Sequence, residues 1–147
     1  MKKITTLVLA VAIIAFGGCK ALGPTISAYD NYSYMQTISI KVDALNLMDM
    51  ATEDYKDHKT DIRQVQTNLQ KIYEYEVHRP KNEISAKQWQ LLTDTSGHLL
   101  GGFMVKWRNE SKCGKGYIIE KKKQISFAFD QIAELESKKI KPSDIKN

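Results

Sequence analysis

The chain reads as an all-α protein, a small helical bundle of four or five helices, and three features of its sequence predict this. Residues 25–79, between Pro24 and Pro80, form fifty-five positions without a glycine or a proline. Within them apolar residues recur at Met35, Ile38, Val42, Leu45, Met48, Tyr55, Ile62, Val65, Leu69 and Ile72, mostly three or four apart, which is the helical period. Beyond Pro80, glycines and prolines divide the chain into short segments, and the last of these repeats the same spacing from Ile118 to Leu135.

The first eighteen residues stand apart from this pattern. Met1-Lys2-Lys3 gives a positive start, and Ile4–Phe16 is an uncharged, mostly apolar run of thirteen residues followed by small ones. That order is the layout of a secretory signal peptide. Thirteen residues at 1.5 Å rise span roughly 20 Å, short of the ~30 Å hydrocarbon core, so a permanent transmembrane helix is disfavoured.

Phe16-Gly17-Gly18-Cys19 at the end of this run resembles the lipobox of bacterial lipoproteins, with Phe16 where that family usually carries Leu. The resemblance covers the first twenty residues. It implies cleavage before Cys19, a diacylglycerol on its sulfur, and acylation (palmitate or a similar chain) of the new amino group. Two or three chains exceed what stable anchoring requires, since each buried CH₂ contributes ~0.8 kcal/mol. Lys20 stands where enteric lipoproteins retained in the inner membrane carry Asp, so the resemblance points to the outer membrane. The chain then divides into a signal peptide at 1–18, a lipid attachment site and tether at 19–25, a bundle at 26–141 and a basic flexible tail at 142–147.

The elements of the bundle follow in order. A single helix over 25–79 would be roughly 80 Å long, against a radius of gyration of ~14 Å for a domain of this size. The chain therefore folds back or joins a long coiled coil. Its most polar stretch is Thr52–Asp61, which predicts helices over about 26–54 and 60–78 with a turn at Asp57–Lys59. The alternation Thr37–Val42 is a strand signal inside this helical pattern. Arg79-Pro80 ends the second helix, because proline disfavours helical geometry in the residue before it. Ser85-Ala86-Lys87-Gln88 reads as a capping box opening a short helix with Trp89, Leu91 and Leu92. After the turn at Thr93–Gly97, the residues Leu99, Leu100, Phe103, Met104 and Trp107 line one helical face. A β-hairpin over 88–107 is the rival there, and Gly101-Gly102 weakens both readings while permitting close helix contact. The last helix runs over about 117–139 after the break Cys113–Gly116, with Ile118, Ile125, Phe129, Ile132 and Leu135 on one face, and Pro142 ends it.

Charge and cysteine count limit the function classes. The whole chain carries +5; removing Lys2 and Lys3 with the signal leaves +3, too mild to argue for nucleic acid. With Cys19 acylated, Cys113 is the remaining thiol, so no intramolecular disulfide can form, and Cys113 is either buried or available for an intermolecular bond. No His-Glu-x-x-His, Glu-x-x-His, Cys-x-x-Cys-His or Gly-x-Ser-x-Gly spacing occurs, so zinc protease, di-iron, covalent haem and hydrolase readings lack their motifs. No cofactor is expected. His58, His78 and His98 with a methionine such as Met35, Met48, Met50 or Met104 define the alternative, a helical-bundle carrier of haem or metal.

Two groups of residues are candidates for interaction. Tyr29, Tyr32 and Tyr34 lie shortly after the anchor, and tyrosine suits both membrane and protein interfaces. Lys112, Lys115, Lys121, Lys122 and Lys123 fall in a basic stretch that could meet lipid phosphates, lipopolysaccharide or an acidic partner, or form a solvated face. The expectation is a membrane-anchored, non-catalytic binding protein of the cell envelope, in its narrower form an exclusion or immunity lipoprotein, with an envelope protein as partner.

Overall fold

The computed structural model describes residues 27–138 and Ile145. The signal peptide, Cys19, the tether, the end of the last predicted helix and all but Ile145 of the tail lie outside the described residues. Five α-helices follow in order: α1 Asn31–Asp49, α2 Lys59–His78, α3 Glu83–Thr93, α4 Leu100–Glu110 and α5 Lys115–Glu136. No strand occurs among the described residues: the stretch at 37–42 lies within α1, and that at 88–107 is divided between α3 and α4 with a turn at 94–99. α1 packs on α2 and α5, α2 on α3, and α3 on α5, closing a ring of four, while α4 packs on α3 and on the turn before α2.

Most of the apolar stripes land in the core. Ile62, Val65, Leu69 and Ile72 of α2 are buried, as are Ile118, Ile125, Phe129, Ile132 and Leu135 of α5 and Leu100, Phe103, Met104 and Trp107 of α4. The centre holds Trp89 edge-on to Phe129, with ring centroids 5.9 Å apart.

α1 departs from its predicted face. Ser33, Thr37, Ile40, Ala44, Leu47 and Met48 point inward, whereas Met35, Ile38 and Val42 are 55%, 36% and 51% exposed. The helix carries apolar residues on opposite sides, so spacing alone cannot choose between them. The inner side wins because its small residues admit the neighbouring helices and its hydroxyls find partners. The Thr37 hydroxyl donates to the Ser33 carbonyl at 2.8 Å, and the Ser33 hydroxyl donates to Glu76.

The first turn also lies earlier than the polar stretch suggested. α1 stops at Asp49, two short 3₁₀ turns follow at Met50–Thr52 and Tyr55–His58, and α2 starts at Lys59. The segment 107–113 fixes this placement. Cys113 N–H donates to the Ala51 carbonyl at 2.7 Å, Tyr55 N–H to the Ser111 carbonyl at 2.9 Å, and the Trp107 indole to the Glu53 carbonyl at 3.0 Å. These bonds satisfy backbone groups that a longer α1 would have paired internally.

The capping box at Ser85 does not form. α3 begins at Glu83, and Ser85 is buried within its first turn. The residue at the cap position is Asn82, whose amide is drawn instead to Glu76. Leu91 faces solvent, and Leu99 is half-buried just ahead of α4. Gly101 and Gly102 permit the close approach that their pairing suggested. A Cβ at Gly101 would overlap the carbonyls of Thr93 and Asp94, and one at Gly102 would overlap that of Gly97.

Candidate functional site

The chain emerges towards Cys19 at Ser27–Asp30, and four helix ends converge there on a buried polar cluster. Glu76 extends the apolar stripe of α2 by one turn, so it points into the bundle and is fully buried. Burying a carboxylate is costly unless it is paired and hydrogen-bonded, and Arg79, one turn on, supplies the charge. Its Nη1 donates to Glu76 Oε2 at 3.0 Å and to Glu136 Oε2 of α5 at 3.0 Å, while Nη2 donates to Glu136 Oε1 at 3.1 Å. Nη2 also donates to the Ala28 carbonyl at 2.8 Å. Asn82 adds its amide to Glu76, and the Asp30 N–H donates to Glu136 Oε1 at 2.7 Å. The Ser27 hydroxyl reaches Asn82 Oδ1 at 3.2 Å.

Asp30 joins the cluster to the start of α1. One of its oxygens accepts the Ser33 N–H at 2.9 Å as an N-cap, and the other accepts the Tyr75 hydroxyl at 2.8 Å. The Ser33 N–H foremost, then the Tyr75 hydroxyl and the nearby Arg79 charge, hold the Asp30 carboxyl below its ordinary range. Tyr75 is pushed up, first by that same hydrogen bond and then by burial. Burial works against the charge on Arg79, but Glu136 and Glu76 more than offset it and raise its pKa. Every carboxylate here holds several donors, so the cluster positions the chain at residues 27–30.

The three predicted tyrosines fall into two separate ring pairs near this point. Tyr29 and Tyr34 lie ring to ring at 6.3 Å, and Tyr32 sits edge-on to Tyr75 of α2 at 4.8 Å. Tyr29 and Tyr32 are about half exposed, and Tyr34 is half-buried.

The lysines are spread over three surroundings. Lys112 lies 3.6 Å from Asp54 at the turn before α2. Lys122 pairs with Asp49 of α1 at 2.6 Å, and Lys121 donates to the His98 carbonyl at 3.1 Å and lies over the Tyr117 ring. Lys115 and Lys123 are exposed. The histidines have separate neighbours too. His58 meets Glu53 at 2.9 Å beside Trp107, His78 meets the Glu74 carbonyl, and the His98 carbonyl accepts from Lys121. Among the described residues no group of three or more His, Cys, Asp or Glu is placed to hold a metal ion. Met48 and Met104 are buried in the core, while Met35 and Met50 are exposed.

A second feature has no counterpart among the predicted site residues. A half-open cleft of about 740 Å³ lies between α2 and α4, with Leu69, Gly101 and Met104 along it and Gln66, Tyr73 and Arg108 among its polar groups. No carboxylate, histidine or cysteine is among the described residues lining it, and its hydroxyl groups come from Tyr55, Tyr73, Thr93, Thr95 and Ser96. Gly101-Gly102 is the sequence signal that bears on it, since close packing of the 93–97 loop on α4 shapes one end. Cys113 is buried, and burial chiefly raises its thiol above the usual range.

No helix among the described residues is long and apolar enough to cross a membrane. The chain matches no protein-family model, and neither a curated protein nor a solved structure resembles it significantly.

Proposed function

We propose that the protein is a lipid-anchored, non-catalytic interaction protein of the bacterial cell envelope, held by acyl chains on Cys19 and engaging an envelope protein close to the anchoring membrane. The observation that carries this reading is the sequence Met1–Cys19, in which positive start, thirteen-residue apolar run, two small residues and cysteine stand in lipoprotein order. The geometry at the other end of the tether supports it. Asn82, Arg79 and Glu136 hold residues 27, 28 and 30, so seven residues, 20–26, separate Cys19 from the clamped part of the chain. Fully extended, they reach about 23 Å. A bundle so held meets partners in or on the membrane that holds it. The described histidines, each in its own surroundings, lend no support to a haem or metal carrier.

Metabolic labelling with a fatty-acid probe tests the anchor: the native chain should take up label and Cys19→Ser should not. Crosslinking in intact envelopes tests the partner. A specific protein adduct should form with the native chain and weaken for Cys19→Ser; adduct formation independent of Cys19 would contradict the proximity reading.

A further inference from the structure

The outer face of α1 is apolar where a solvated helix would be charged. Of the eleven large hydrophobic residues that are exposed among the described residues, five (Tyr29, Tyr32, Met35, Ile38 and Val42) fall within residues 29–42. At 100° per residue, Met35, Ile38 and Val42 occupy a sector of about 60° opposite the buried line Ser33, Thr37, Ile40, Ala44. Ser39 and Asn46, exposed beside them, are uncharged, while the exposed carboxylates Asp43 and Asp49 mark one flank and the far end of the patch. Across the α1–α5 groove the patch continues through half-buried Leu45 to exposed Phe127, bordered by Lys123, by Asp130 and by Lys122, which pairs with Asp49. Isolated exposed apolar residues are ordinary, but a contiguous patch marks a surface that something covers.

We infer that this face of α1 lies on the surface of the bilayer that holds the protein, with Met35, Ile38 and Val42 at the boundary between headgroups and acyl chains. The inference rests on the anchoring at Cys19. Three observations select the bilayer over a protein or a second copy. Seven residues, 20–26, join Ser27 to the proposed lipid on Cys19, and their ~23 Å reach keeps the start of α1 beside the membrane. The patch then meets that membrane at high effective concentration, whereas a free partner would have to find it. The composition fits as well: tyrosines at the end nearest the tether, aliphatic side chains along the helix and lysines at the border match the pattern of interfacial helices. α1 spans nineteen residues, or about 28 Å, enough to lie along the surface as a strip.

The test uses the full lipidated chain purified from membranes and reconstituted in vesicles of phosphatidylethanolamine and phosphatidylglycerol. An environment-sensitive fluorophore is placed on Ile38→Cys or Val42→Cys, both exposed and harmless to the core, and on Lys71→Cys of α2 as a control. Cys113 is buried and does not compete for label. Lipids carrying a quencher on the acyl chain should remove about half the emission at 38 and 42, since an interfacial face sits ~5–10 Å into the boundary, and leave position 71 unchanged. Equal, weak quenching at all three positions overturns the inference, as does shielding from aqueous quencher at 38 and 42 without lipid quenching, which would mean that protein covers the face. The acyl mass on Cys19, measured on the same sample, separates the two levels. With the acyl group present and no lipid quenching, the orientation fails and the anchor stands; with it absent, both fail.

Discussion

Arg79 is 9% exposed and faces two carboxylates, Glu76 and Glu136, that are more buried still. Removing it leaves two buried negative charges without a counter-ion, so Arg79→Ala should cost about 3–5 kcal/mol in urea unfolding. Arg79→Lys should also be clearly destabilising, because a single ammonium cannot serve Glu76, both Glu136 oxygens and the Ala28 carbonyl together. Of this cluster the sequence shows only that Glu76 falls on the apolar stripe of α2, one turn after Ile72. Its partner Glu136 lies 57 residues from Arg79, and nothing local ties the two. Asp30, Asp54 and Asp94 all sit below the ordinary carboxylate value of 3.8, held down foremost by Ser33, Ser111 and Ser96 respectively. Carboxylates with folded values below their unfolded ones contribute stability present above the unfolded value and lost as pH falls through the folded one. Urea midpoints should therefore decline as pH drops below about 4, and Asp30→Asn should flatten that decline. Cys113, buried and pushed up, should resist alkylation at neutral pH and react once the protein unfolds.

Helices with one apolar side were legible in the sequence, and helices with two were not. In α2 and α5 the residues at helical spacing form a stripe that is buried, although Val77 of α2 and Ile119 and Phe127 of α5 lie exposed outside it. In α1 the spacing selects Met35, Ile38 and Val42, yet Ser33, Thr37 and Ala44 take the interior because small side chains let α2 and α5 approach. Periodicity reports which residues could pack together, and only the neighbours decide which do. The early end of α1 has the same origin, since hydrogen bonds from residues 107–113 hold the 50–58 turn from a distant part of the chain. The glycine pair was informative in kind: it marked close contact, here between α4 and the preceding loop. Gly101→Ala should cost about 1–3 kcal/mol by thermal or urea unfolding, because its methyl group would meet backbone carbonyls that cannot rotate away. A glycine in open space, such as Gly114, should tolerate alanine far better.

For the molecule as a whole, fold class and proposed address come from different parts of the chain. Residues 27–138 form the helical bundle that the spacing predicted, and residues 1–19 carry the sequence from which the lipid anchor is proposed. The buried cluster of Arg79, Glu76 and Glu136 holds Ala28 and Asp30, at the start of the described residues, against the helix ends. An expected class of partner could be read from the sequence but not its identity, because the surfaces on offer are assembled from several helices: the α2–α4 cleft draws on residues from 55 to 108, and the outer patch joins α1 to Phe127. Intact-mass spectrometry of the protein extracted from membranes bears most directly on the anchor. The predicted result is a mature chain that begins at Cys19 and carries the added mass of its acyl chains. A chain that retains residues 1–18, or one with an unmodified Cys19 thiol, would contradict it.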